Sequence, residues 1–464
     1  MLTFFSKTGQ SDCSGRSRRD FLRIGSLGLG GLSLPWLFRN QAVARQTGDF
    51  VRDKSVVFLF LCGGPSQIET FDPNMSAPAP CRSVTGEVAT SIPGITFGGT
   101  FPQLAQRADR LAVVRSYSPH QEADHAKAIR KVFIADDPLG YQASIGALAT
   151  RLRGRSLTSA GLPMFGGLIE NEIDPQYRED MQRMRSSNGS GKLGASVAPF
   201  DPISKGGSGE ITAKLPLQRI GERRALLREL DRINRQIDAS GEIGALDQFQ
   251  EQAIEVVAGR ALRDAMDLRN EDPRLVQRYD TRSHRVGYLK KRPSTLGHRL
   301  LLARRLCEAG CGFVTVGSAG WDNHGNGKHP GVFEGMHLLG TPLDRAVSAF
   351  LDDVQQRGLS DKILLVITGE FGRTAKMEKA GGRDHWPGLC SLAFAGGGLP
   401  MGQVIGKSLK TADYPATDPV RLPNMVATIM HTLFDVGQLR LNKTAPQDLA
   451  GLVEKGQPIK ELVL

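Results

Sequence analysis

At 464 residues the chain is long enough to bury a large core, as one big α/β domain or two smaller ones. Its apolar content of 40% and charged content of 23% are those of an ordinary globular protein. The net charge of +11 leans towards anionic partners, but no basic run is interleaved with aromatics, so nucleic acid is not expected as a partner.

The chain opens on Ser17-Arg18-Arg19-Asp20-Phe21-Leu22, a twin-arginine pattern. A glycine-rich, mildly apolar run over 24–38 follows, then Ala42-Val43-Ala44, a small-x-small cleavage site. Residues 1–44 therefore read as a twin-arginine signal peptide, and the mature protein as periplasmic or extracellular. The run is too short and too rich in glycine for a membrane span, which needs roughly 20 apolar residues, and no later segment is long enough. Residues 45–464 are expected to form the core domain.

Residues 55–62 are an almost wholly apolar strand running into Gly63-Gly64-Pro65-Ser66. Asp72 follows, either as a strand-end carboxylate for a metal or as a loop cap before Pro73. A helix over 101–111 leads into a short strand over 111–115. Beyond its end come Ser116, Ser118, His120 and His125. A serine there is a nucleophile with one of the histidines as base or metal ligand, or else caps a helix over 122–135. A helix over 142–152 and a strand over 162–169 come next. Residues 172–214 read as a long loop or lid rich in Ser, Gly and Asn. Two long helical patterns, 217–237 and 246–268, complete a helical, partly mobile insertion over 172–290. A helix over 295–309 and a strand over 313–316 lead to Gly320-Trp321-Asp322-Asn323-His324. Asp322 and His324 are two residues apart, so in extended backbone both side chains point the same way, as a chelate for a first-row metal requires. His329 and His337 read as surface. A helix over 341–357 precedes the strand 363–368. At its end lie Glu370 and Arg373, then Arg383, Asp384 and His385. Asp384 and His385 are adjacent and diverge, so one binds a metal while the other stands behind it or faces a neighbouring ion. Alternatively Asp384 pairs with Arg383 or Arg373. A strand over 389–395 and a helix over 422–434 close the pattern.

Six cysteines imply no disulfide framework. Cys62 and Cys390 lie in apolar runs and are expected to be buried. Alternating strands and helices predict a three-layer α/β/α sandwich with a mostly parallel sheet, whose ligands sit beyond the carboxyl ends of the strands.

The motifs SRRDFLRIGSLGLGGLSLPWL, FLCGGPSQIETFDP, RSYS with DHA, WDNHGN, EFGRT, GRDHWPG and AGGG together resemble the bacterial family called domain of unknown function 1501, over nearly the whole chain. That family looks distantly similar to the alkaline phosphatase and sulfatase superfamily. The resemblance implies an alkaline-phosphatase-like core and one or two divalent metals at strand ends. It also implies attack by a serine, threonine or modified cysteine on a phosphate or sulfate ester. Asp322 and His324 match that superfamily's Asp…His metal pair, with tighter spacing. Glu370 sits at its strand-end Asp-His, with Phe371 where the histidine would be. His385 sits like its late histidine, and Ser116 or Ser118 like its nucleophile. Two things depart from it: Gly63-Gly64 stands where the first strand ends in Asp, and Cys-x-Pro-x-Arg is missing.

The function expected is metal-dependent hydrolysis of phosphate or sulfate esters. Zinc, calcium or manganese would be held by Asp322, His324, Glu370 and His385 or Asp384, with Arg373, and Arg383 beside it, clamping the ester. The alternative is a non-catalytic, metal-stabilised module for anionic (sulfated) polysaccharide at the cell surface. A further option is a salt-bridge network of Glu370, Arg373, Arg383 and Asp384 that only orders loops.

Overall fold

The computed structural model describes residues 50–463 other than 155–156, 159–160, 171–173 and 204–259. The expected signal peptide, and nearly all of the helices expected at 217–237 and 246–268, lie outside the described residues.

Seven strands form one sheet: β1 (Ser55–Cys62), β2 (Ala112–Val114), β3 (Phe165–Ile169), β4 (Phe313–Ala319), β5 (Ile363–Thr368), β6 (Leu392–Gly396) and β7 (Gln403–Ile405). Their order is β7-β2-β6-β5-β1-β4-β3. Every pairing is parallel except those of β6, which runs against both of its neighbours. The central strand β1 is buried along its whole length. Its side chains alternate between two cores, as strand geometry dictates. Val56, Phe58 and Phe60 enter one core, and Val57, Leu59 and Leu61 enter the other.

Among the described residues, helices that cover the two faces include α1 (His125–Phe133), α2 (Ile145–Leu152), α3 (Arg178–Ser187), α4 (Arg260–Met266), α5 (Pro273–Tyr279), α6 (Leu296–Glu308), α7 (Val332–Gln356) and α8 (Leu422–Leu433). The first core takes Ile129 of α1, Ile145 of α2, Met184 of α3 and Met425 of α8. The second takes Leu262 of α4, Leu275 of α5, Leu300 of α6 and Phe350 of α7. The result is the expected three-layer α/β/α sandwich with a mostly parallel sheet.

Several expected elements differ. The helix over 101–111 shortens to Pro102–Ala105 and a turn. α1 is capped by Asp124, whose side chain accepts from Lys127 N at 3.0 Å, and not by Ser116 or Ser118. α7 begins at Val332 and runs through Pro342, which lacks the N–H a helix interior uses. Val332, Met336, Leu339 and Leu343 are buried along one stripe, and that burial outweighs the local cost. Part of the stretch expected as a loop is α3, with Met181 and Met184 buried. α4 and α5 are fastened to the core by Arg304, which is fully buried and lies 2.8 Å from both Glu271 and Asp353. Cys62, Cys307, Cys311 and Cys390 are buried free thiols. Among the described residues no helix is long and apolar enough to cross a membrane.

Candidate metal centre

The centre forms where β1, β4 and β5 end side by side. β1 turns through Gly63 and Gly64, both at positive φ. A side chain at Gly63 would come within 2.7 Å of the backbone nitrogens of Trp321 and Asp322. Glycine at this point thus lets the β4 loop close down on the end of β1. Gly63 N then donates to Glu370 Oε1 at 2.8 Å, which fixes the carboxylate at the end of β5.

Asp322 is the hub. Its Oδ1 lies 2.9 Å from His324 Nε2, 3.3 Å from His385 Nε2 and 3.5 Å from His125 Nε2, while Oδ2 lies 3.0 Å from His329 Nδ1. One ligand atom each from His125, Asp322 and His385 falls within 4.8 Å of the others. Burial pushes the Asp322 carboxyl up, but the imidazoles of His125, His324, His329 and His385 around it outweigh that and hold it far below the usual carboxylate range.

The other nitrogen of each ring decides which atom faces the hub. His125 Nδ1 lies 2.7 Å from Glu370 Oε1, His324 Nδ1 3.1 Å from Asp384 Oδ1, and His385 Nδ1 2.8 Å from the Ala123 carbonyl. Carboxylates and carbonyls only accept, so all three Nδ1 atoms carry hydrogen. The three Nε2 atoms therefore point inward, and His324 Nε2 and His385 Nε2 face each other at 3.0 Å. A histidine whose outer nitrogen is held by a carboxylate or carbonyl is the arrangement found around metal ions. Among the described residues, buried His125 Nε2 and Glu370 Oε2 have no hydrogen-bond partner, His125 Nε2 lying 3.5 Å from Asp322 Oδ1. Burial would lower His125, but Asp322 and Glu370 together push it up to about 10. The donor set fits a divalent ion. Asp322 Oδ1 lies 3.3 and 3.5 Å from the Nε2 atoms of His385 and His125, close to the ~3.3 Å between neighbouring donors on a tetrahedral zinc with ~2.0–2.1 Å bonds.

Residues 53–463 match the family described as "Protein of unknown function (DUF1501)". The chain belongs to this family. No curated protein matches it. Among solved structures, this DUF1501 chain is similar to the lipoteichoic acid synthase LtaP from Listeria monocytogenes, at 9% identity and a TM-score of 0.37, over 85% of this chain and 77% of that one. It is similar to the phosphonate monoester hydrolase SpPMH from Silicibacter pomeroyi, at 9% and 0.36, over 88% and 76%. It is also similar to the PsFucS1 sulfatase from Pseudoalteromonas sp., at 11% and 0.34, over 90% and 75%. At such values the likenesses decide nothing about the chemistry of the DUF1501 chain.

The remaining expected residues divide. Arg373 reaches the centre, with Nη2 2.5 Å from Asp322 Oδ1. Its other donors go to the carbonyls of Gly63, Gly64 and Arg383, and Nη1 also lies 3.4 Å from His324 Nε2, so it is enclosed by protein. Arg383 is not at the centre. It is fully buried, 3.2 Å from the equally buried Glu69, and also donates to the carbonyls of Thr374, Ala375 and Arg82. Asp384 pairs with His324 and with neither arginine. Asp72 accepts from Ser408 and sits 3.4 Å from Arg115, apart from the histidines. Ser118 Oγ accepts from Arg421, and Ser116 Oγ is buried without a partner. Neither serine hydroxyl makes a hydrogen bond to the histidine cluster among the described contacts. His120 Nδ1 accepts from Glu122 N, and burial, with Lys131 adding, lowers its imidazole to about 4.

Three residues around the centre went unread in the sequence. His329 is half-buried against Asp322, whereas it was expected at the surface. Tyr177 packs its ring on His329. Asp180 on α3 is raised by burial and by Glu370 and lowered by His125, which places it in the same electrostatic neighbourhood. His329 stands seven residues after Asp322 in the same glycine-rich loop, the only signal that marked it.

Proposed function

We propose that this chain is an exported, metal-dependent hydrolase of phosphate or sulfate esters. One observation carries the reading. The Nε2 atoms of His125, His324 and His385 each lie within 3.5 Å of Asp322 Oδ1, and each ring is fixed from behind by Glu370, Asp384 or the Ala123 carbonyl. A purely structural cluster gains nothing by turning three ring nitrogens towards each other.

Imidazole nitrogens with one carboxylate suit zinc; calcium prefers an all-oxygen shell that this point does not offer. When bound, a divalent ion supplies positive charge that polarises the ester and stabilises charge in the transition state. Asp322 would hold the ion together with His125, His324 and His385. Glu370 and Asp384 orient two of those rings. Arg373 positions the Asp322 carboxylate. With neither Ser116 nor Ser118 bonded to the centre, water is the nucleophile in this reading. Its oxygen bonds to phosphorus or sulfur as the bond to the leaving alkoxide breaks. His329 donates Nδ1–H to the Asp322 backbone carbonyl at 3.1 Å, which leaves Nε2 to accept the proton of the water. That proton then neutralises the alkoxide.

The test is the zinc and manganese content of the purified protein, measured without chelator, alongside turnover of aryl phosphate and aryl sulfate esters. Bound metal and turnover, both lost in Asp322→Ala while folding is retained, support the reading. Bound metal with no turnover across ester classes moves the function to the metal-stabilised binder of anionic polysaccharide. No bound metal after reconstitution removes both.

A further inference from the structure

We propose that the Tyr177 hydroxyl is the hydrogen-bond donor that holds a non-bridging oxygen of the anionic ester at the centre. The inference rests on the hydrolase reading above.

The two arginines that the sequence offers for this role are engaged elsewhere. Arg373 donates to three backbone carbonyls and to Asp322, and Arg383 to Glu69 and three backbone carbonyls. Tyr177 is the opposite case. The residue is 2% exposed, and its hydroxyl, beside the Gln176 side chain, is buried with no hydrogen-bond acceptor among the described residues. A buried hydroxyl left unpaired is costly and rare in a folded chain, so its donor is available to a bound ligand.

The ring lies edge-on to His329, with centroids 5.4 Å apart and planes at 77°. His329 in turn contacts Asp322 Oδ2 at 3.0 Å. Tyr177 also lines a cavity together with Gly320, Pro330 and Tyr288. Gly320 and Pro330 begin and end the loop that carries Asp322, His324 and His329.

The backbone that carries Tyr177 is also held in place. The Asp174 carboxylate accepts from the backbone N–H groups of Tyr288, Leu289 and Lys290 at 2.5, 3.2 and 2.6 Å. Tyr177 N donates to Asp174 O at 3.0 Å. Gln176 Nε2 donates to Lys328 O at 2.9 Å, beside His329. A donor fixed before the substrate arrives needs no reorganisation during reaction, which is the condition for effective stabilisation of an oxyanion.

The experiment is calorimetric titration of inorganic phosphate into the zinc-loaded full chain, its Tyr177→Phe variant and its Asp322→Ala variant. Tyr177→Phe removes one oxygen and leaves the ring on His329. The expected result is phosphate binding weakened about tenfold or more, with zinc content and melting temperature unchanged. Wild-type affinity in Tyr177→Phe, with binding lost in Asp322→Ala, overturns the role of Tyr177 and leaves the hydrolase reading standing. Zinc-loaded wild type that binds no phosphate overturns both. Should Tyr177→Phe fold poorly, 3-fluorotyrosine at position 177 gives a second readout. Its fluorine resonance must move when phosphate is added, and an unmoved resonance with phosphate bound overturns the inference.

Discussion

His324 donates its Nδ1–H to Asp384 Oδ1 across 3.1 Å, and the two residues come from separate strand ends. Asp384 is 61% exposed at its side chain, so it orients the ring while contributing little to the core. Asp384→Asn is expected to weaken zinc binding about 10–100-fold with almost no change in unfolding free energy. Competition with a chelator, read beside a urea melt, separates the two effects.

Glu370 is fully buried and accepts both Gly63 N–H and His125 Nδ1–H. Glu370→Ala leaves those donors without a partner and opens a void at the end of β5. The metal-free protein is expected to lose about 2–4 kcal/mol of stability. Denaturant unfolding of the stripped protein measures this without interference from metal binding.

Glu69 and Arg383 form an ion pair with both side chains fully buried. Removing one partner strands the other charge, so Glu69→Ala or Arg383→Ala alone should cost about 3–5 kcal/mol. The double variant should cost less than the sum of the two, and zinc stoichiometry should stay unchanged in any variant that folds. A double-mutant cycle in urea decides it. Full additivity would show that the pair is not coupled.

Asp344 on α7 accepts from the backbone N–H groups of Gln103 and Leu104. Burial outweighs these bonds and raises its carboxyl from 3.8 to about 6. A folded-state pKa above the unfolded one means that the folded chain holds the proton more tightly. The resulting stabilisation is complete below about 4 and is lost as pH rises through about 6. Its size is on the order of 2–3 kcal/mol. The difference in unfolding free energy between wild type and Asp344→Asn, followed across pH 4 to 7, should show this slope. A flat difference would mean that Asp344 does not titrate in the window.

The apolar run of β1 and the β-branched run of β5 were legible because a strand buried on both faces needs an unbroken apolar stretch. Gly63, Asp322, His324, Glu370 and His385 were legible because glycines and polar groups end such runs at the carboxyl side of a parallel sheet. α7 was not fully legible, since Pro342 reads locally as a stop while the burial that overrides it lies on a neighbouring helix.

What the sequence determined by itself is therefore the sheet and the strand ends where polar groups gather. What only the tertiary structure decided is which of those groups meet. His125 rather than His120 faces Asp322, Arg383 turns away to Glu69, Asp72 goes to Arg115, and His329 and Tyr177 arrive from loops with no motif of their own. The physical reason is range. Strand and helix formation follow from patterns a few residues apart, whereas ring orientation, buried pairing and an unpartnered hydroxyl depend on atoms brought together by the packing of the whole sheet. His125 and Glu370 meet at 2.7 Å although 245 residues separate them in the chain.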